Sequence, residues 1–167
     1  MNVFRISCHL MTGQFSVRRA FPTVLLDSIE QSIKSSEHRH AGEILFAVEA
    51  ALDLSSLLRD KSARERAIDV FSMLRVWDTE LNNGVLIYLL MADRDVEIIA
   101  DRGIHAKVGQ VGWERICQEM EAAFRQGQFE QGILTGIEAI TQQLQTFFPP
   151  IHPSGANELP NRPVVLK

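Results

Sequence analysis

The sequence predicts an α/β protein, a three-layer α/β/α sandwich built on a small mixed β-sheet. Three observations predict it. First, LNNGVLIYLLMADRDVEIIADRG, from Leu81 to Gly103, holds two apolar runs around the charged turn Asp93-Arg94-Asp95, the form of a hairpin. Second, a mostly apolar strand from about Glu43 to Ala50 and then a helix precede it. The unit from Glu43 to Met91 is therefore β-α-β, with parallel strands and a right-handed crossover. Third, two amphipathic helices follow. Trp113, Ile116, Cys117, Met120 and Phe124 have i, i+3, i+4, i+7, i+11 spacing, and Ile133, Ile137, Ile140, Leu144 and Phe147 line one face of the second.

In chain order, residues 1–20 show no clear periodicity and read as a basic arm, with Arg5, Arg18 and Arg19 and no acid before Asp27. Such an arm is either solvated or docks on a membrane surface or a partner. The domain is expected over 21–148. FPTVLLDSIEQSIKSSEHRH reads as a helix, with Pro22 suited to the first turn and Leu26, Ile29 and Ile33 at helical spacing. Ser62-Ala63-Arg64-Glu65 has capping-box form. The helix behind it should present Ile68, Phe71 and Leu74 and end near Val76 or Trp77.

The strand from Gly84 to Met91 is apolar throughout, as a central strand covered on both faces would be. That from Asp95 to Ala100 carries Glu97 and belongs nearer an edge. Gly127 separates the last two helices. Residues 149–167 hold five of the six prolines. Proline blocks helix and removes donors, so this stretch is expected to be an extended tail, either disordered or laid along the surface, whose deletion costs little stability.

Composition bounds the function. The chain has 167 residues, enough for one domain with a sizeable core. Its net charge of −4 argues against nucleic acid, which needs a basic surface. Cys8 and Cys117 are too far apart in sequence to suggest a disulfide framework, and Cys117 falls on an apolar helix face as a buried, inert thiol. Residues 1–20 hold no stretch of signal-peptide length, and the longest apolar run, Val85 to Ala92, is too short to span a bilayer. A soluble cytoplasmic protein is expected, either free or peripheral at the membrane.

The topology gathers polar groups at one sheet edge. In a hairpin turning at Asp93–Asp95, Asp101 returns opposite the start of the first strand, beside Asn82 and Asn83. Asp78 lies on the loop feeding that edge, and Glu43 starts the parallel strand. His38 and His40 precede it; they can ligate a metal, bind phosphate or simply end a helix. Asp78, Asn82, Asn83, Asp101 and Glu43 are therefore the candidate metal ligands. Carboxylate and amide oxygens suit Ca²⁺ or Mg²⁺ and not a structural zinc. Each residue also has an ordinary use in a turn or a helix cap. His105 reads as a loop residue, and no nucleophile motif or P-loop occurs.

The segment AIDVFSMLRVWDTELNNGVLIYLLMADRDVEIIADRGI resembles the TPM domain, a family named for a thylakoid-lumen protein, a photosystem-repair protein and a receptor-associated nematode protein. The ordered set is Trp77 closing a helix, Asn83-Gly84 before an apolar strand, the Asp93-Arg94 turn and Gly103, with Gly42-Glu43-Ile44 upstream. The resemblance covers about residues 22–145. It implies an α/β/α sandwich and a divalent-cation site, usually of calcium, in an acidic cleft. It also implies weak acid phosphatase activity in some members, and work beside small membrane proteins of the LemA type in bacterial ones. Trp77-Asp78-Thr79-Glu80 replaces the family's more usual Gly-rich step. Two functions follow as expectations: a non-enzymatic, calcium-binding interaction module linked to membrane or envelope maintenance, or a metal-dependent phosphomonoester hydrolase. In the second, Asp78, Asn83 and Asp101 would hold the ion and Arg102 would assist.

Overall fold

A computed structural model describes residues 3–150 and 157–166. Its element order is α1 (Val3–Met11), α2 (Gln14–Ala20), α3 (Thr23–Ser36), β1 (Glu43–Glu49), α4 (Leu54–Leu58) and α5 (Ala63–Met73). Then come β2 (Gly84–Leu90), β3 (Asp95–Ala100), α6 (Arg102–Arg125), α7 (Phe129–Phe147) and β4 (Val164–Leu166). The four strands lie in the order β3-β2-β1-β4. β1 pairs in parallel with β2, Glu43 opposite Gly84, and β3 returns antiparallel, Val85 opposite Ala100.

β1 and β2 are buried at every position because each face of the sheet carries its own core. Ile44, Phe46, Val48, Val85, Ile87 and Leu89 meet Ile29 and Ile33 of α3, Ile116 and Met120 of α6, and Ile133 and Ile137 of α7. Leu45, Ala47, Leu86, Tyr88 and Leu90 meet Leu57 of α4 and Ala63, Ala67 and Val70 of α5. Period-two alternation along each strand thus feeds two layers of helix. The three-layer α/β/α sandwich with a mixed sheet is the observed fold.

The structure corrects the expectations in several places. The supposed arm is two helices. α1 turns Ile6 toward the core under α4 and α5, and α2 buries Val17 in the opposite core. α4, which was not foreseen, is capped by Asp53, whose carboxylate accepts the Ser56 amide. The capping box at Ser62 and Glu65 forms. The fully buried residues of α5, however, are Ala63, Ala67 and Val70; of the three expected there, Phe71 and Leu74 pack against this core and Ile68 is exposed. Alanines let the helix approach the sheet closely, and the larger side chain is turned out. α6 starts at Arg102, earlier than its apolar spacing indicates, and bends at Gly109 (φ 74°). His105 is therefore helical. Cys117 is half-buried, not fully buried.

The tail is packed. Its residues 151–156 lie outside the described residues, but Leu159 is buried against the α4/α5 core and Val164–Leu166 pairs with Ala47–Glu49 of β1. Those pairings join positions more than a hundred residues apart, which local pattern does not reveal.

Candidate functional site

The edge where β1 and β2 begin is assembled by short-range sterics and caps. Asn82 adopts a left-handed backbone (φ 53°), which Asn tolerates better than most residues. Its carbonyl accepts the amides of Gly103 and Ile104 at 3.0 and 3.3 Å. A Cβ on Gly103 would lie 2.5 Å from that same carbonyl oxygen, and one on Gly84 would lie 2.0 Å from the Val76 carbonyl oxygen. The glycine of Asn-Asn-Gly is thus required by close backbone approach. Asp101 caps α6: its Oδ1 accepts the Arg102 amide at 2.7 Å, while its own amide donates to the Gly84 carbonyl at 2.9 Å.

Asn82, Asn83 and Asp101 are brought together here. Asn82 Oδ1 accepts from Arg102 Nε at 3.0 Å. Asn83 is fully buried. Its Nδ2 donates to the Ala41 carbonyl at 2.8 Å and its amide donates to Thr79 Oγ1 at 3.1 Å. Two oxygens are left over: Asn83 Oδ1 and Asp101 Oδ2 are buried with no hydrogen-bond partner among the described residues. Native structures rarely leave buried acceptors unpaired, since each costs about 1–3 kcal/mol.

Two other expected ligands have different company. Asp78 is on the surface and pairs with Arg75 at 2.5 Å. Glu43, opposite Gly84, is buried and accepts the amides of Glu158 and Leu159 at 3.2 and 3.4 Å. Desolvation pushes the Glu43 carboxyl up to about 7, and Glu37 and Glu158 nearby act in the same direction. The tail amides oppose that shift by favouring the charged form. The Glu158 carboxylate in turn accepts the Glu80 amide at 3.0 Å. The tail is therefore part of this edge, which sequence spacing did not indicate.

His40 is not an exposed helix end. It is buried, Nδ1 accepts the Gly42 amide at 3.2 Å, and desolvation lowers its pKa to about 4. His38 is exposed. Among the described residues, no group of three His, Cys, Asp or Glu side chains is placed to hold a metal ion. Any ion here must draw on amide and main-chain oxygens and on water beside Asp101.

A second acidic feature lies along β3, a cleft of ≈ 270 Å³ lined in part by Asp95, Glu97, Glu114, Glu121 and Arg64. Burial raises Asp95 to about 6, helped by Glu97 and Glu121. Arg64 pairs with Glu97 at 2.9 Å. No helix among the described residues is long and apolar enough to cross a membrane.

Comparison with known proteins adds the family. The TPM domain model matches residues 23–143. The NMR structure of BA42 protein from the psychrophilic bacterium Bizionia argentinensis is similar, with a TM-score of 0.71 and 31% identity, covering 84% of this chain and 92% of that one. The N-terminal domain of a P. gingivalis protein shares the fold, with a TM-score of 0.59 and 18% identity, covering 75% of this chain and 78% of that one. No curated protein matches the chain.

Proposed function

This chain belongs to the TPM domain family, and from that premise we propose that it is a divalent-cation-binding interaction module, taking Ca²⁺ in preference to Mg²⁺. One observation carries the reading: the buried, partnerless Asn83 Oδ1 and Asp101 Oδ2 at one sheet edge. A carboxylate oxygen and an amide oxygen are hard donors, and Ca²⁺ accepts such donors together with carbonyls and water in flexible geometry. Asn82, Glu43 and Asp78 already serve Arg102, the tail amides and Arg75, so the proposal rests on Asn83 and Asp101. A bound ion supplies positive charge that ties the Asn82–Asn83 loop to the cap of α6.

The non-enzymatic form is preferred to weak acid phosphatase activity. Glu43, the acid at this edge displaced toward neutral pH, is held by main-chain amides of the tail and is not left to pass protons. Arg102 Nε, an obvious phosphate ligand, is given to Asn82. As protein partner we propose the small LemA-type membrane protein that the family resemblance implies, met from the cytoplasmic side in a role in envelope maintenance.

The test is the melting temperature in EDTA, Ca²⁺ and Mg²⁺. Ligand at a hundredfold excess over its dissociation constant adds roughly 2.7 kcal/mol, or about 5–10 °C for a chain of this size. Ca²⁺ should raise the melting temperature of the native chain and of Asp78→Asn but not of Asp101→Asn, whose amide keeps the helix cap. No response of the native chain to either ion removes the reading.

A further inference from the structure

We propose that the outward face of α2, with Met11 in the turn that leads into it, docks on an anionic membrane surface, Met11 and Phe15 entering the interface and Arg18 and Arg19 meeting lipid phosphates. The inference does not rest on the cation reading. In α1, Ile6 and His9 turn inward, while Leu10 and Met11 are 71% and 84% exposed. In α2, Val17 is buried and Phe15 is 79% exposed. Arg18 and Arg19 follow Phe15 at i+3 and i+4, so the aromatic ring and both guanidiniums share the outward face. Val24, on the first turn of α3, is 80% exposed. A contiguous apolar patch rimmed by polar residues marks an interaction site, and Met11 and Phe15, four residues apart across the turn between α1 and α2, are where one can form.

The outward aim is fixed. Arg5 holds Asp93 through Nε and Nη2, at 3.0 and 2.9 Å, and gives Nη2 to the Lys61 carbonyl at 2.9 Å. His9 Nε2 lies 2.9 Å from Asp93 Oδ1, and its Nδ1 accepts the Leu52 amide at 3.0 Å, which places the ring proton on Nε2. The β2–β3 turn and the segment after β1 thereby clamp the polar side of α1. Gln14 Nε2 donates to the Leu166 carbonyl at 2.9 Å and anchors the start of α2.

Charge selects the occupant. The chain is net −4, yet no Asp or Glu occurs before Asp27. The acids nearest this region are matched, Asp60 and Asp93 by Arg5 and Asp27 by Arg162, so Arg18 and Arg19 set the sign of the α2 face. Phe and Met beside Arg on short helices is the composition of interfacial helices that lie in the headgroup layer.

The experiment is co-sedimentation of the full chain with vesicles, in EDTA so that cation binding plays no part. Vesicles of mixed phosphatidylglycerol and phosphatidylcholine should bind at least about tenfold more protein than pure phosphatidylcholine at low salt, since two arginines near an anionic surface supply that preference. The preference should fall with added salt. The double variant Met11→Ser/Phe15→Ser should lose vesicle binding with an unchanged melting temperature, and Arg18→Glu/Arg19→Glu should lose the preference for phosphatidylglycerol. Absence of binding to phosphatidylglycerol vesicles overturns the proposal. So does binding that neither variant alters, or a dimer in sedimentation velocity that Met11→Ser/Phe15→Ser dissociates, which would assign the face to a second copy.

Discussion

Arg66 on α5 grips Glu49 at the end of β1 with two hydrogen bonds of 2.8 Å, from Nε and Nη2, and Tyr88 on β2 donates its hydroxyl to the same carboxylate at 2.6 Å. Glu49 is buried and Tyr88 fully so. Burial, with the Glu49 carboxylate beside it, holds the tyrosine hydroxyl far above its ordinary pKa, and the same carboxylate strengthens the hold of Arg66 on its proton. Removing one partner from such a pair leaves a charge uncompensated, at about 3–5 kcal/mol. Arg66→Ala should therefore lower the urea midpoint steeply. Glu49→Gln/Arg66→Ala should recover much of the loss, because no buried charge is stranded. Equal stabilities for the two variants would show that the charge is not what costs.

Glu43 gives the fold a pH dependence of known sign. Its folded pKa of about 7 lies above the ordinary value of 4.5, so the native state binds a proton that the unfolded chain releases. That contribution is fully present below about pH 4.5 and is lost as pH rises toward 7. It amounts to something on the order of 3 kcal/mol at 1.36 kcal/mol per unit. Asp95, raised to about 6, acts with the same sign over a lower window. Glu43→Gln should flatten the stability profile between pH 4.5 and 7. A profile as steep as that of the native chain would place the titration elsewhere.

Gly84 tolerates no side chain. A Cβ there would meet the Val76 carbonyl oxygen at 2.0 Å, and backbone cannot yield as a flexible side chain can. Gly84→Ala should cost about 3 kcal/mol or more, read as a lower melting temperature or as failure to accumulate folded protein. Gly13→Ala, where a Cβ meets nothing within 4 Å, is the control and should cost only the loss of a glycine N-cap, about 1 kcal/mol or less.

Truncation after residue 156 should lower stability by roughly 2–4 kcal/mol. It exposes the contact surface of Leu159 and removes the β4 pairing and the two amides bound to Glu43. Chemical denaturation of the shortened chain checks this, and an unchanged midpoint would mean that the tail only rests on the domain.

The central hairpin was legible because its signals are local. Asp95–Ala100 falls where the charged turn places it, and Asp101 returns beside Gly84 as the register requires. The cap at Ser62 and the apolar stripes of α6 and α7 were legible for the same reason. α1 and α2 were not, because their apolar residues point both ways: Ile6 and Val17 inward, Met11 and Phe15 outward. At nine and seven residues, both helices are also shorter than the window of about 11 residues over which a helical pattern is read. The site was half legible. Asn82, Asn83 and Asp101 meet through hairpin geometry, whereas the bonds from Glu158 and Leu159 to Glu43 depend on where a proline-rich tail folds back.

That tail strand also bears on solubility. β1 is seven residues long and buried throughout, and β4 covers its outer side at Ala47–Glu49. Uncovered, β1 is a long apolar edge able to template pairing between molecules. β4 follows every other element in chain order, so during synthesis β1 waits longest for its neighbour. The three residues Val164–Leu166 therefore guard against aggregation as well as adding stability. Light scattering by the truncated chain, measured below its melting temperature, should rise with concentration while that of the full chain stays flat.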